Sequence, residues 1–280
     1  MPIIEIENLT FKYATAKNPS LIDINLKINE GEFVILSGPS GCGKTTLCRC
    51  LNGLIPNFYP GELKGSIKVA GLNVLKTQTI ELSKYVGFVF QNPENQLFSL
   101  SVERDVAFGP ENLGLSKDEI KKRVEWALEV TGTSSLRDYA PYELSGGQQQ
   151  RVAIACVLAM KPKIIVLDEP TSFLDPKSAL EILKIIDKLN NELKITIILV
   201  EHRLDMVSQF ADRVIVMNQG RIELDGKPSE VYNKHAYLLG IGIPRVSLLF
   251  LLLKEAGFDF KKIPITVNEC EKEIRSYLHK

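Results

Sequence analysis

Apolar residues fall along this chain in two periods. Ile4 and Ile6 alternate with Glu5 and Glu7, and Ile22, Ile24, Leu26 and Ile28 alternate with polar neighbours, so each stretch predicts a strand with one covered face. Phe33–Leu36, Ile164–Leu167 and Ile195–Val200 do not alternate. They are apolar runs rich in β-branched residues, the pattern of parallel strands covered on both faces. Ser66–Val69 and Val86–Phe90 predict further strands, and Val214–Met217 and Arg221–Leu224 flank Asn218-Gln219-Gly220 as a hairpin. Helical spacing takes over from about Asn92 to Gln150. There Ser116 and Glu119 form a capping-box pair ahead of Ile120, Val124, Ala127 and Leu128, which share one face. Asp175-Pro176 opens another helix with Leu180, Leu183, Ile186 and Leu189, or near neighbours, on its covered side. After Lys227 the pattern is mostly helical, broken at Pro244 and Pro264.

These elements predict an α/β chain: a β-rich layer, a helical insertion over about 92–150, and a parallel α/β core, together one domain over 1–226. Residues 227–280 read as a C-terminal appendage. A length of 280 residues suits one large domain with such an addition. Lys and Arg together number 34, as do Asp and Glu, so the zero formal charge gives no support for bulk binding to nucleic acid or anionic lipid. The five cysteines, Cys42, Cys48, Cys50, Cys156 and Cys270, include no C-x-x-C pair, which fits reduced thiols rather than a metal site. The first residues lack the pattern of a signal peptide. The longest apolar run, Val246–Leu253, falls far short of the ~20 residues of a transmembrane helix, so a membrane role would pass through a partner.

The chemistry begins at Gly38-Pro39-Ser40-Gly41-Cys42-Gly43-Lys44-Thr45-Thr46, which fits G-x-x-x-x-G-K-[ST] between a short apolar strand and a helix. Glycines let the loop backbone curl until its N–H groups face phosphate oxygens, and the helix that follows adds its positive end. Lys44 is placed for the β- and γ-phosphates and Thr45 for Mg²⁺. Ile164–Leu167 ends in Asp168-Glu169. At the tip of a parallel strand beside a phosphate loop, Asp168 suits Mg²⁺ and Glu169 suits polarising the attacking water. Leu144-Ser145-Gly146-Gly147-Gln148 opens a second helix, with Ser145 as N-cap and two glycines exposing N–H groups to an anion. One nucleotide needs only one such loop, so this second start is expected to reach a nucleotide held by another subunit.

At this point the chain resembles the ATP-binding cassette (ABC) ATPases. Leu144–Gln148 matches that family's signature motif, and the remaining motifs follow in order across Met1–Gly226. The resemblance implies the phosphate-loop NTPase core of the ABC type, with an N-terminal antiparallel β layer, a helical signature subdomain and a small helical C-terminal extension. It implies that Tyr13 stacks on adenine, that Gln91 senses Mg²⁺ and water, that Ser172–Asp175 is the D-loop with Phe173 in place of a small residue, and that His202 contacts the γ-phosphate. The matched catalytic positions Gln91, Glu169 and His202 are intact, which argues against a non-catalytic module.

Val89–Phe98 and Val102–Gly114 resemble more narrowly the ATPase subunits of energy-coupling factor transporters, the cobalt, nickel and vitamin importers of bacteria and archaea. Ile243–Gly257 and Ile263–Val267 resemble the extension that helps those ATPases dimerise. The implied assembly is a head-to-tail ATPase dimer, of identical or related chains, at the cytoplasmic face of the membrane. Its partners are a transmembrane coupling subunit and a substrate-capture membrane protein. Asn95–Phe98, with Leu97 and Phe98 as apolar anchors, is the expected contact with the coupling subunit. A soluble cassette ATPase acting on nucleic acid or ribosomes is the competing class. It usually carries a tandem cassette, a long coiled coil or a basic arm, and this sequence has none of them.

Overall fold

A computed structural model describes residues 1–260 and 262–278. Among them, ten strands make two sheets. The first is antiparallel, with order β2 (Leu21–Asn29), β1 (Pro2–Tyr13), β4 (Gly61–Val69), β5 (Leu72–Asn73). The second has order β10 (Arg221–Gly226), β9 (Arg213–Asn218), β3 (Phe33–Ser37), β8 (Thr196–Val200), β7 (Ile164–Asp168), β6 (Val86–Val89), and only β10 runs antiparallel to its neighbour. The longer helices are α1 (Lys44–Leu51), α2 (Val102–Asn112), α3 (Lys117–Val130), α4 (Gly146–Leu158), α5 (Pro176–Asn191), α6 (Arg245–Glu255) and α7 (Val267–Leu278). None among the described residues is long and apolar enough to cross a membrane.

The parallel strands are covered on both sides, as their unbroken apolar runs predict. Phe33, Ile35, Ile165, Leu167, Ile197, Leu199, Val214 and Val216 enter one core with α2 to α5. Their alternates Val34, Leu36, Ile164, Val166, Ile198, Val200, Ile215 and Met217 enter a second core with α1 and the antiparallel sheet. Helix caps fall on the predicted residues: Ser116 Oγ accepts from Glu119 N at 3.4 Å, although the Glu119 carboxylate accepts from Arg123 Nε at 2.6 Å instead of closing the expected capping box, and Asp175 Oδ1 accepts from Lys177 N at 2.9 Å and Ser178 N at 3.1 Å. Strand β4 starts at Gly61, five residues before the predicted Ser66, because its first half is held by backbone pairing with Thr10–Tyr13 and shows no apolar alternation.

The β9–β10 hairpin turns on Gln219 and Gly220, with φ of 46° and 80°, as a two-residue loop of the mirror-image type requires. This turn joins three elements. Gly220 N donates to Cys42 O at 3.0 Å in the phosphate loop, and Ile22 N of β2 donates to Gly220 O at 2.8 Å. Beyond Gly226 the chain stays on the first core: Val231, Tyr232, Ala236, Ile241 and Ile243 are buried in it, and Tyr232 pairs with Ser208 at 2.6 Å. On α6, Phe250 is buried while Leu249 and Leu252 are 44% and 55% exposed, so part of the Val246–Leu253 apolar run is open.

Strand β6, which leads to Gln91, is pressed against α4 at Gly87, where an added Cβ would lie 2.1 Å from Val157 Cγ1. Valine has little rotamer freedom with which to yield. Gly87→Ala is therefore expected to destabilise the fold by about 1–3 kcal/mol, read from chemical denaturation; a neutral change would contradict this packing.

Candidate active site

The phosphate loop, Gln91, Asp168-Glu169 and His202 follow β3, β6, β7 and β8 in turn, so parallel pairing sets them all along one carboxyl edge. Tight backbone approaches shape the loop. A Cβ at Gly38, where φ is 150°, would meet Met217 O at 2.2 Å, and one at Gly43, where φ is 111°, would meet Ser20 O at 2.5 Å. Helix α1 starts at Lys44 without a side-chain cap, which leaves first-turn N–H groups for a ligand. The buried Lys44 ammonium donates to Gly38 O at 2.8 Å and Pro39 O at 3.0 Å and lies 3.8 Å from Cys42 Sγ. A pocket of ≈ 190 Å³ is lined here by Ser20, Ser40, Gly41, Lys44, Thr45 and Glu169, among others. Anion-accepting backbone and a carboxylate thus share one cavity.

Asp168 and Glu169 diverge. Asp168 ends β7 inside the fold, and burial pushes its carboxyl above the ordinary range. A hydrogen bond from Thr45 offsets part of that, while the Glu169 charge adds to it. Glu169 sits at φ 50°, a left-handed backbone uncommon outside glycine, asparagine and aspartate, which turns its carboxylate out of the strand line. That carboxylate is held on both oxygens. Oε2 accepts from Gln91 Nε2 at 2.8 Å and Ser172 Oγ at 3.0 Å, and Oε1 pairs with His202 Nε2 at 3.0 Å.

The other predicted residues occupy two further places. Tyr13 is half-buried, with its hydroxyl 3.1 Å from Thr46 Oγ1 and its ring edge-on to Phe11 at 4.8 Å, so it flanks the start of α1. Ser145 and Gln148 cap one another: Ser145 Oγ accepts from Gln148 N at 3.4 Å, and Ser145 N donates to Gln148 Oε1 at 2.9 Å. Ser145 and Gly146 are exposed, Gly147 is half-buried, and Gly146 lines a second ≈ 190 Å³ pocket with Gln91, Gln150, Pro170 and Phe173. The signature segment therefore borders Gln91 and the 170–174 turn, whereas the phosphate-loop cavity has other walls. Two residues of this region escaped the sequence reading. Ser20 is delivered by the loop before β2 and belongs to no motif. Glu201 is an acid closing an apolar strand directly before His202, the same signal that marks Asp168.

Comparison with known proteins identifies the family and the fold. The profile described as "ABC transporter" matches residues 21–172. The energy-coupling factor transporter ATP-binding protein EcfA2 of Clostridium tetani is 43% identical over 280 residues, covering 97% of this chain and 96% of its own. The structure of CbiO1 from Clostridium perfringens, part of the ABC transporter complex CbiONQ, superposes with a TM-score of 0.76 at 38% identity, covering 90% of this chain and 99% of that one. The ATP-binding cassette MJ0796, a dimer in a post-hydrolysis state bound to ADP and Pi, gives a TM-score of 0.70 at 32% identity, covering 80% and 98%.

Because folding raises the Asp168 pKa, the favourable share of its burial exists below the unfolded carboxylate pKa and is lost as pH rises through the folded one. Ionising the group therefore costs the fold stability. Asp168→Asn is expected to melt no lower than wild type, with an advantage that grows from acid to neutral pH in calorimetry, while ATP hydrolysis collapses. A variant that melts markedly lower at pH 7 would contradict the electrostatic assignment.

Proposed function

The chain belongs to the ABC transporter family, and we propose that this ATPase is the energising subunit of an energy-coupling factor type importer. The observation that carries the catalytic half is the Glu169 carboxylate, held at once by Gln91, Ser172 and His202 on the rim of the phosphate-loop cavity. Backbone N–H groups of residues 38–43, the N-terminus of α1 and Lys44 hold the ATP phosphates, and Tyr13 stacks on adenine. Asp168 and Thr45, already hydrogen-bonded to each other, offer the carboxylate and hydroxyl oxygens that a small hard cation takes, and Gln91 adds an amide oxygen. Mg²⁺ held there would neutralise charge on the β- and γ-phosphates. Glu169 orients the attacking water and draws off its proton, and His202 steadies both Glu169 and the γ-phosphate.

Ser145–Gln148 acts on the nucleotide of a second cassette. The exposed Ser145 and Gly146 at the start of α4 form an anion-seeking helix end that is not among the walls of the chain's own phosphate cavity, and the dimeric relative MJ0796 supports a head-to-tail pair. ATP then joins the two subunits, and its hydrolysis releases them. The likeness to EcfA2, an energy-coupling factor transporter ATP-binding protein, and to CbiO1, part of the ABC transporter complex CbiONQ, supports work within a membrane transporter complex. A transmembrane coupling subunit, a separate substrate-capture protein and uptake of cobalt, nickel or a vitamin at the cytoplasmic face complete the proposal on the resemblance of Val89–Phe98 and Val102–Gly114.

The docking segment takes a different form from the sequence expectation. Leu97 is 8% exposed and packs in the core of the helical lobe, so it is no surface anchor. Phe98 is 66% exposed and stacks edge-on with exposed Phe108 at 4.9 Å, beside exposed Leu100. Buried Asp105 fixes this loop by accepting from Phe98 N at 3.2 Å and Ser99 N at 3.0 Å through Oδ1. The aromatic pair presents a firm apolar knob of the kind that anchors interfaces.

Glu169→Gln keeps shape and polarity but not basicity. It is expected to bind ATP normally, to lose about 10²–10⁴-fold in turnover, and to accumulate an ATP-dependent dimer on size exclusion; near-normal phosphate release would remove Glu169 as the base.

Phe98→Ala is expected to abolish co-purification with the coupling subunit while leaving the melting temperature of the isolated chain nearly unchanged. Leu97→Ala should instead destabilise the chain itself by about 2–5 kcal/mol. Retained co-purification of Phe98→Ala would exclude the docking role.

A further inference from the structure

Glu201 is 1% exposed and takes no direct part in the chemistry above. A carboxylate buried this deeply is tolerated when its oxygens are fully engaged. Those of Glu201 accept three hydrogen bonds from two different loops. Oε2 accepts from Thr171 Oγ1 at 2.5 Å, in the turn that follows β7. Oε1 accepts from His202 N at 2.8 Å and Arg203 N at 3.1 Å, in the loop that follows β8. Arg203 returns the tie, because its guanidinium donates to Leu174 O at 3.2 Å and Thr171 O at 3.4 Å.

These contacts close a ring around Glu169. One arm runs from Glu169 Oε2 to Ser172 Oγ, and Thr171, next in the chain, bonds Glu201. The other runs from Glu169 Oε1 to the His202 ring, whose own backbone N–H bonds Glu201. The two groups that grip Glu169 from its own turn and from the adjacent loop are therefore registered against each other by one buried side chain. We propose that Glu201 is a positioning residue for ATP hydrolysis, holding Ser172 and His202 in the relative placement that aims the Glu169 carboxylate. This rests on the reading of Glu169 as the base. The phosphate loop is held separately, through Gly220, so loss of the ring leaves nucleotide binding intact.

The test is steady-state ATP hydrolysis by the full chain, with affinity measured in parallel using a fluorescent ATP analogue. Glu201→Ala opens the ring and is expected to lower kcat by about 10²-fold, the size of effect that follows a misplacement of about 1 Å, with KM and analogue affinity unchanged. Glu201→Gln keeps an oxygen for the two backbone N–H groups and an amide for the Thr171 hydroxyl, and is expected to restore most of the rate. Wild-type kcat in Glu201→Ala overturns the proposal, as does Glu201→Gln failing as badly as Glu201→Ala, or a rise in KM at constant kcat. If Glu201→Ala does not fold, Thr171→Val decides, since it keeps volume and removes one bond of the ring. A kcat loss rescued by Thr171→Ser supports the ring, and an unchanged kcat overturns it. Glu169→Gln is assayed alongside. If that variant still turns over, the reading of the base has failed; if it is inactive while Glu201→Ala is not, only the positioning role has.

Discussion

Burial of the parallel sheet on both faces is the constraint on which this molecule depends. Strands β3, β7, β8 and β9 send alternate side chains into two separate cores, so a register slip of one residue would exchange the contents of both. Register fixed in this way also fixes where each strand stops. The loops that lead to Lys44, Glu169 and His202 begin where β3, β7 and β8 stop, and the one that carries Gln91 begins where β6, itself divided between the two cores, stops, so precision at the site is inherited from packing a long way behind it.

The site spends part of that stability. Burial works against ionisation of Asp168, and Glu169 adds both a neighbouring charge and a left-handed backbone. Such groups persist where the surroundings over-determine them. Here the surroundings are specific: Thr45 bonds Asp168, and Gln91, Ser172 and His202 bond Glu169. All four follow different strands, β3, β6, β7 and β8, which couples the proposed chemistry to any movement of the loops. The Gln91 loop continues directly into Asn92–Phe98, so a single short segment links the carboxylate to the proposed membrane-facing knob.

Sequence reasoning recovered most of the architecture because its signals were physical and local. Unbroken apolar runs marked the doubly covered strands, and Ser116, Asp175 and Ser145 cap the helices that they were expected to start. The phosphate loop was legible because its glycines, lysine and threonine stand next to one another. Gln91 and His202, by contrast, drew attention only through their order among other motifs, since an isolated loop glutamine or histidine carries no local signal. Leu97 and Phe98 mark the limit of that reading. They are adjacent and both apolar, yet one is core and the other surface, and only the packing of α2 and α4 around the segment separates them.

What the sequence determined by itself was the set of elements, the two-sided sheet and the identity of the phosphate loop, because period, capping and glycine placement act over a few residues. The tertiary structure alone decided which groups meet. Ser20 reaches the phosphate cavity because the loop before β2 folds over Gly43, and Glu201 joins the turns after β7 and β8 because parallel pairing sets those strands side by side. Ser20 meets Gly43, and Thr171 meets Glu201, only across intervening segments of chain, and no local periodicity encodes such contacts. They exist only once two cores have closed around one sheet.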